Sequence, residues 1–110
     1  MVYLLNAPIL TAYGTWQFQG PISASDARAR IHGQTVISAI GHKASSNLLS
    51  KILQQPVDPN RIAVQLQPGD SALVFRLLQR LPEGTVLDVA QLEATPYELG
   101  WLHHVSEATE

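Results

Sequence analysis

The sequence predicts a single α/β domain: a mixed sheet of five or six strands flanked by about three helices. Three observations lead there. The chain has 110 residues, 45% of them hydrophobic, enough for one core without staples. Short β-branched apolar runs punctuated by Pro and Gly recur along it. Between them lie stretches with helical periodicity, so crossovers and hairpins should occur together. The domain is expected over residues 1–105, with a polar, frayed tail at 106–110.

Val2-Tyr3-Leu4-Leu5 reads as a central strand ended by Asn6-Ala7-Pro8, because Pro removes a ladder donor. Thr15 to Gln19 alternates, with Trp16 and Phe18 on one side, as a half-buried strand near an edge does. Ser23 and Asp26 form a capping pair that starts a helix over Ala24 to Ile31, stopped by Gly33. On that helix Arg28 and Arg30 read as solvated, and His32 as a favourable charge at the dipole's negative end.

Val36-Ile37-Ser38-Ala39-Ile40 is the apolar run of a buried strand, broken by Gly41. From Lys43 the apolar positions Leu48, Leu49, Ile52 and Leu53 form a helical stripe. His42 therefore stands where a strand hands over to a helix. Arg61 to Leu66 alternates and Ala72 to Phe75 is continuous, so the two read as a hairpin across a Pro68-Gly69 type II turn. Arg76 is either exposed or reaches a pocket. A loop at Gln79 to Gly84, a helix from Asp88 to about Glu93 closed by Pro96, and a last strand over Leu99 to Val105 complete the chain.

Composition narrows function. The formal net charge is −2 with only seven Lys and Arg, which argues against a broad footprint on duplex DNA. The absence of cysteine removes disulfides, thiolate metal sites and a cysteine nucleophile. No apolar run reaches membrane-spanning length and no signal peptide is evident, so a cytoplasmic location is the default. His103 and His104 are adjacent and on a strand point to opposite faces, so they do not chelate one ion; no metal site and no cofactor are expected.

Chemistry is left to strand ends. The first N–H groups of a helix lack intrahelical partners and favour an anion, and an imidazole beside them can act as an acid or base. Asn6 follows one strand, Gly41, His42 and Lys43 another, Arg80 and Glu83 a third. Such a set suffices for metal-free phosphodiester cleavage by an internal 2′-hydroxyl. On the residues alone, a His42 that merely caps its helix or faces solvent remains open.

The chain resembles the type III CRISPR ring nucleases of the viral anti-CRISPR kind and their cellular relatives. The resemblance rests on Val2-Tyr3-Leu4-Leu5-Asn6-Ala7, Ser38-Ala39-Ile40-Gly41-His42, Asn60-Arg61, Gln67-Pro68-Gly69-Asp70 and Arg80-Leu81-Pro82-Glu83-Gly84. Thr11 to Gly14 and Pro96 to Gly100 look like the bacterial branch. The resemblance implies a homodimer that binds cyclic tetra-adenylate across its two-fold axis. It implies metal-free cleavage to linear products ending in 2′,3′-cyclic phosphate. By motif it makes His42 the general acid, Glu83 a supporting carboxylate, Arg80 a ligand and charge contact and Asn6 a pocket residue. Thr11 stands where a hydroxyl contact is expected. The alternative is a module that binds or sequesters a cyclic oligoadenylate, or senses it, with negligible turnover. A DNA- or partner-binding role is the third reading.

Overall fold

The computed structural model describes residues 1–78 and 96–108. In chain order its elements are β1 (Val2–Leu5), β2 (Gly14–Gln19), α1 (Ala24–Ile31), β3 (Val36–Ser38), α2 (Lys43–Leu53), β4 (Ser71–Leu77) and β5 (Tyr97–Glu107). They form the expected α/β arrangement: one mixed sheet in the order β2-β5-β4-β1-β3. β1 runs parallel to both β3 and β4, while β5 is antiparallel to β2 and β4. The parallel strands β3, β1 and β4 thus deliver their carboxyl ends to one end of the sheet. The expected loop at Gln79 to Gly84 and helix from Asp88 lie outside the described residues.

Both helices cover one face. α1 begins where Ser23 accepts the Asp26 N–H at 3.0 Å and ends before Gly33, whose φ of +74° suits a residue without Cβ. It buries Ala27 and Ile31. α2 buries Leu48, Leu49, Ile52 and Leu53 against Leu4, Leu73 and Phe75 of the sheet. Its buried Ser46 and half-buried Ser50 bond locally: Ser46 Oγ donates to Lys43 O at 2.9 Å and Ser50 Oγ to Ser46 O at 2.7 Å. Arg28 is not a solvated residue. Its Nη1 donates to Ile52 O at 2.8 Å, closing the carboxyl end of α2. Arg30 forks onto Asp26 one turn earlier, at 3.0 Å, and lies 5.3 Å from the Trp101 ring centre.

The opposite face is covered in part by irregular chain. The expected hairpin of Arg61–Leu66 with β4 does not form. Both edges of β4 are taken, by β1 and β5, so the alternating segment lies on the sheet face instead. Leu66 is buried there with Leu5, Ala72, Val74 and Leu102, and Val64 packs beside it. Side chains satisfy its backbone: Leu66 N donates to Thr11 Oγ1 at 3.0 Å, and His104 Nδ1 donates to Leu66 O at 2.8 Å. His104 also stacks on Trp16, centroids 4.0 Å apart. His103 takes the other face and bonds Ser71 Oγ at 2.7 Å, so the two histidines do diverge. The Pro68-Gly69 turn is present, with Asp70 N donating to Gln67 O.

β5 is longer than the expected last strand. Ser106 and Glu107, placed in a frayed tail by the sequence, pair with Thr15 and Gly14 of β2. The ladder supplied by β2 orders them despite their polarity.

Candidate functional site

β1 and β3 are in register through Leu4 and Ser38, and Ala39 N donates to Leu4 O at 2.9 Å. The two chains therefore leave the sheet side by side, one as Asn6, the other as Ala39 to His42. Asn60 then fixes a third chain next to them. Its Nδ2 donates to Ser38 O at 2.8 Å and its N–H to Ile40 O at 2.8 Å. Ser38 Oγ donates to Asp58 O at 2.7 Å. These bonds tie the chain to the end of β3 and carry Arg61 over Gly41.

The outcome is an open cleft of about 390 Å³ lined by Asn6, Ala39, Gly41, His42, Arg61 and Ile62. Arg61 Nε donates to Gly41 O at 3.4 Å. Its aliphatic stem occupies the space a side chain at 41 would need: a Cβ there would meet Arg61 Cγ at 2.6 Å. Glycine at 41 is thus a steric condition for this arginine position.

His42 is the N-cap of α2, but its side chain makes no capping bond, and the first turn contains no acidic residue. No carboxylate of the helix's own first turn meets the first N–H groups of α2, which lie beside a guanidinium. His42 is half-buried, and its Nδ1 is fully enclosed with no hydrogen-bond partner among the described residues. With Nδ1 shut in, proton exchange with anything in the cleft runs through Nε2.

The structure therefore brings together Asn6, Gly41 and His42. Lys43, exposed at the first position of α2, does not line the cleft. Thr11 is elsewhere: its hydroxyl holds Leu66 and it lines a separate hollow with Tyr13 and Trp16. Arg80 and Glu83 lie outside the described residues; β4, which precedes them, ends at the same sheet end as Asn6 and His42. Arg61 is the cleft residue that sequence reasoning placed in a strand instead. The signal was the Asn60-Arg61 pair, where an amide able to clamp a neighbouring strand end precedes a cation.

A mixed sheet with helices on one face, and a polar cleft at the carboxyl ends of its parallel strands, defines a small open-sheet α/β fold, in which ligands as a rule gather at those strand ends. The chain belongs to the STIV B116-like family, whose model matches residues 2–99. The ORF117 protein of Acidianus two-tailed virus is 40% identical to it over 96% of this chain and 94% of its own. Protein 26 of Sulfolobus islandicus filamentous virus is 31% identical over 96% and 92%. YddF of Bacillus subtilis is 33% identical over 56% of each chain. Among solved structures, B116 of Sulfolobus turreted icosahedral virus aligns with a TM-score of 0.74 and 26% identity, covering 94% of this chain and 98% of that one. The relatives matching nearly the whole chain here are viral; the Bacillus match spans about half. No helix among the described residues is long and apolar enough to cross a membrane.

Proposed function

We propose that the protein is a metal-independent ring nuclease that opens cyclic tetra-adenylate and so switches off type III CRISPR signalling. The observation that carries the reading is the convergence of Asn6, His42 and Arg61 in one cleft at the α2 N-terminus. A phosphate there meets a guanidinium and helix N–H groups. The neighbouring 2′-hydroxyl attacks in line, forming the 2′-O–P bond and losing its proton to solvent. The P–O5′ bond breaks, and the 5′-oxygen takes the proton of His42 Nε2. Products end in 2′,3′-cyclic phosphate. In this reading Arg80 stabilises charge on the phosphorane, Glu83 orients the site and Asn6 holds the ligand. Lys43 adds positive potential beside the acid.

The active species is a homodimer, two clefts facing one ring across the two-fold axis. Such a ring presents equivalent phosphates to equivalent groups. Ile9, Leu10 and Tyr13, exposed by 50, 63 and 92%, offer apolar surface for a second copy. The protein acts in the cytoplasm, where the messenger is.

The test is incubation with cyclic tri-, tetra- and hexa-adenylate in EDTA, with products separated by chromatography. Linear adenylates from the tetramer are expected. Intact ring recovered from a tight complex would replace the nuclease with a sequestering module. No binding to any of the rings would refute both.

A further inference from the structure

A second concavity opens on the sheet face opposite α1 and α2. It has about 290 Å³ and is lined by Pro8, Phe18, Pro21, Val74, Arg76 and Glu98, with Gly100 as its floor. Pro8 is two residues from Asn6 of the cleft, so no more than about 7 Å of chain separates the two hollows. Phe18, Gly100, Val74, Arg76 and Glu98 share this face because strand side chains alternate and the cross-strand register aligns them.

Its walls are specific. A Cβ at position 100 would meet Phe18 Cε1 at 2.7 Å and Cζ at 3.0 Å, so an edge of the ring reaches over the bare backbone of β5. Phe18 nevertheless stays 57% exposed. An aromatic ring seated at one edge and otherwise open to solvent is a stacking platform. Arg76 and Glu98 stand directly opposite each other on β4 and β5, both exposed, and no ion pair closes between them. A donor fork and an acceptor therefore face one space above an apolar floor.

We infer that this concavity is a nucleobase subsite that takes an adenine: the base stacks on Phe18, its exocyclic amino group donates to Glu98, and Arg76 donates to a ring nitrogen. The inference rests on the proposed cyclic adenylate ligand for the base's identity. It also gives Arg76, an odd residue in an apolar strand, a task.

The test titrates the intact, ¹⁵N-labelled protein with AMP and with purine riboside 5′-monophosphate, which lacks the amino group. AMP should shift the amides of Phe18, Glu98 and Gly100, and the amino-free analogue should bind more weakly. Phe18→Ala should weaken AMP binding by about 5- to 150-fold, the worth of one base–aromatic stack, and Phe18→Trp should restore it. Glu98→Ala, at an exposed position, should erase the preference for AMP over the analogue, and thermal melting shows that each variant folds. AMP shifts confined to Asn6, Gly41 and His42 would overturn the subsite, as would a Phe18→Ala protein that binds AMP normally but changes its oligomeric state. AMP bound at Phe18 by a protein that leaves cyclic tetra-adenylate intact would uphold the subsite and refute the nuclease.

Discussion

Gly41→Ala is the most informative small change. The added methyl carbon would stand 2.6 Å from Arg61 Cγ, 3.2 Å from Nε and 3.4 Å from Cδ. Contacts under 3 Å are not sustained, so one partner moves. Gly41 is not among the residues with positive φ, so alanine fits its backbone. Arg61 is exposed and its one bond here, to Gly41 O, is long at 3.4 Å. The arginine side chain is what yields. Driving it to a poorer rotamer costs about 0.5–1.5 kcal/mol, a fall in Tm of less than about 10 °C for a domain of this size. Its guanidinium, however, leaves the cleft. A charge-assisted bond to phosphate is worth about 1.5–3 kcal/mol, so affinity for cyclic tetra-adenylate should fall about 10- to 150-fold. Calorimetric titration beside thermal melting measures both. Near-normal affinity in the folded variant would refute the placement of Arg61 at the phosphate; collapse of the fold would show that the Gly41–Arg61 contact is rigid.

Three further outcomes are expected. His104→Ala should lower stability by about 2–4 kcal/mol, from the lost Trp16 stack and the unpaired Leu66 carbonyl; denaturant unfolding reads it, and a change below about 1 kcal/mol would contradict the packing. Thr11→Val should cost about 1–2 kcal/mol by orphaning the Leu66 N–H while ligand affinity measured by calorimetry holds, whereas a loss of affinity alone would restore the hydroxyl as a ligand contact. Leu73→Ala, at a fully buried position of β4, should cost about 2–5 kcal/mol, visible as a lower denaturation midpoint.

Much of this fold is legible locally. The bounds of α1 follow from Ser23, Asp26 and Gly33, and those of α2 from the Gly41 break and its apolar stripe. β2 follows from the alternation of Trp16 and Phe18. The failure at Arg61–Leu66 has a physical cause. A period of two reports an extended chain with one apolar side, whether that chain joins a ladder or lies across a sheet. Only the occupancy of β4's edges decides, and that is a long-range fact. The same cause hid Arg61, whose place depends on Asn60 bonding to Ser38 and Ile40 some twenty residues earlier. Asn6, Gly41 and His42 were legible because strand ends in a parallel arrangement converge by topology. The place of Thr11 was not legible, because sequence gives no sign that its hydroxyl holds the Leu66 backbone. Ser106 and Glu107 were misjudged because polarity says nothing about a neighbouring strand's length.

The central claim is that the imidazole at position 42 protonates a leaving oxygen in a cleft that binds the ring independently of it. The single-turnover rate on labelled cyclic tetra-adenylate, with protein in excess and EDTA present, compares wild type with His42→Ala directly. A drop of about 10²- to 10⁴-fold with ligand still bound is predicted. Equal rates in the two proteins would contradict it.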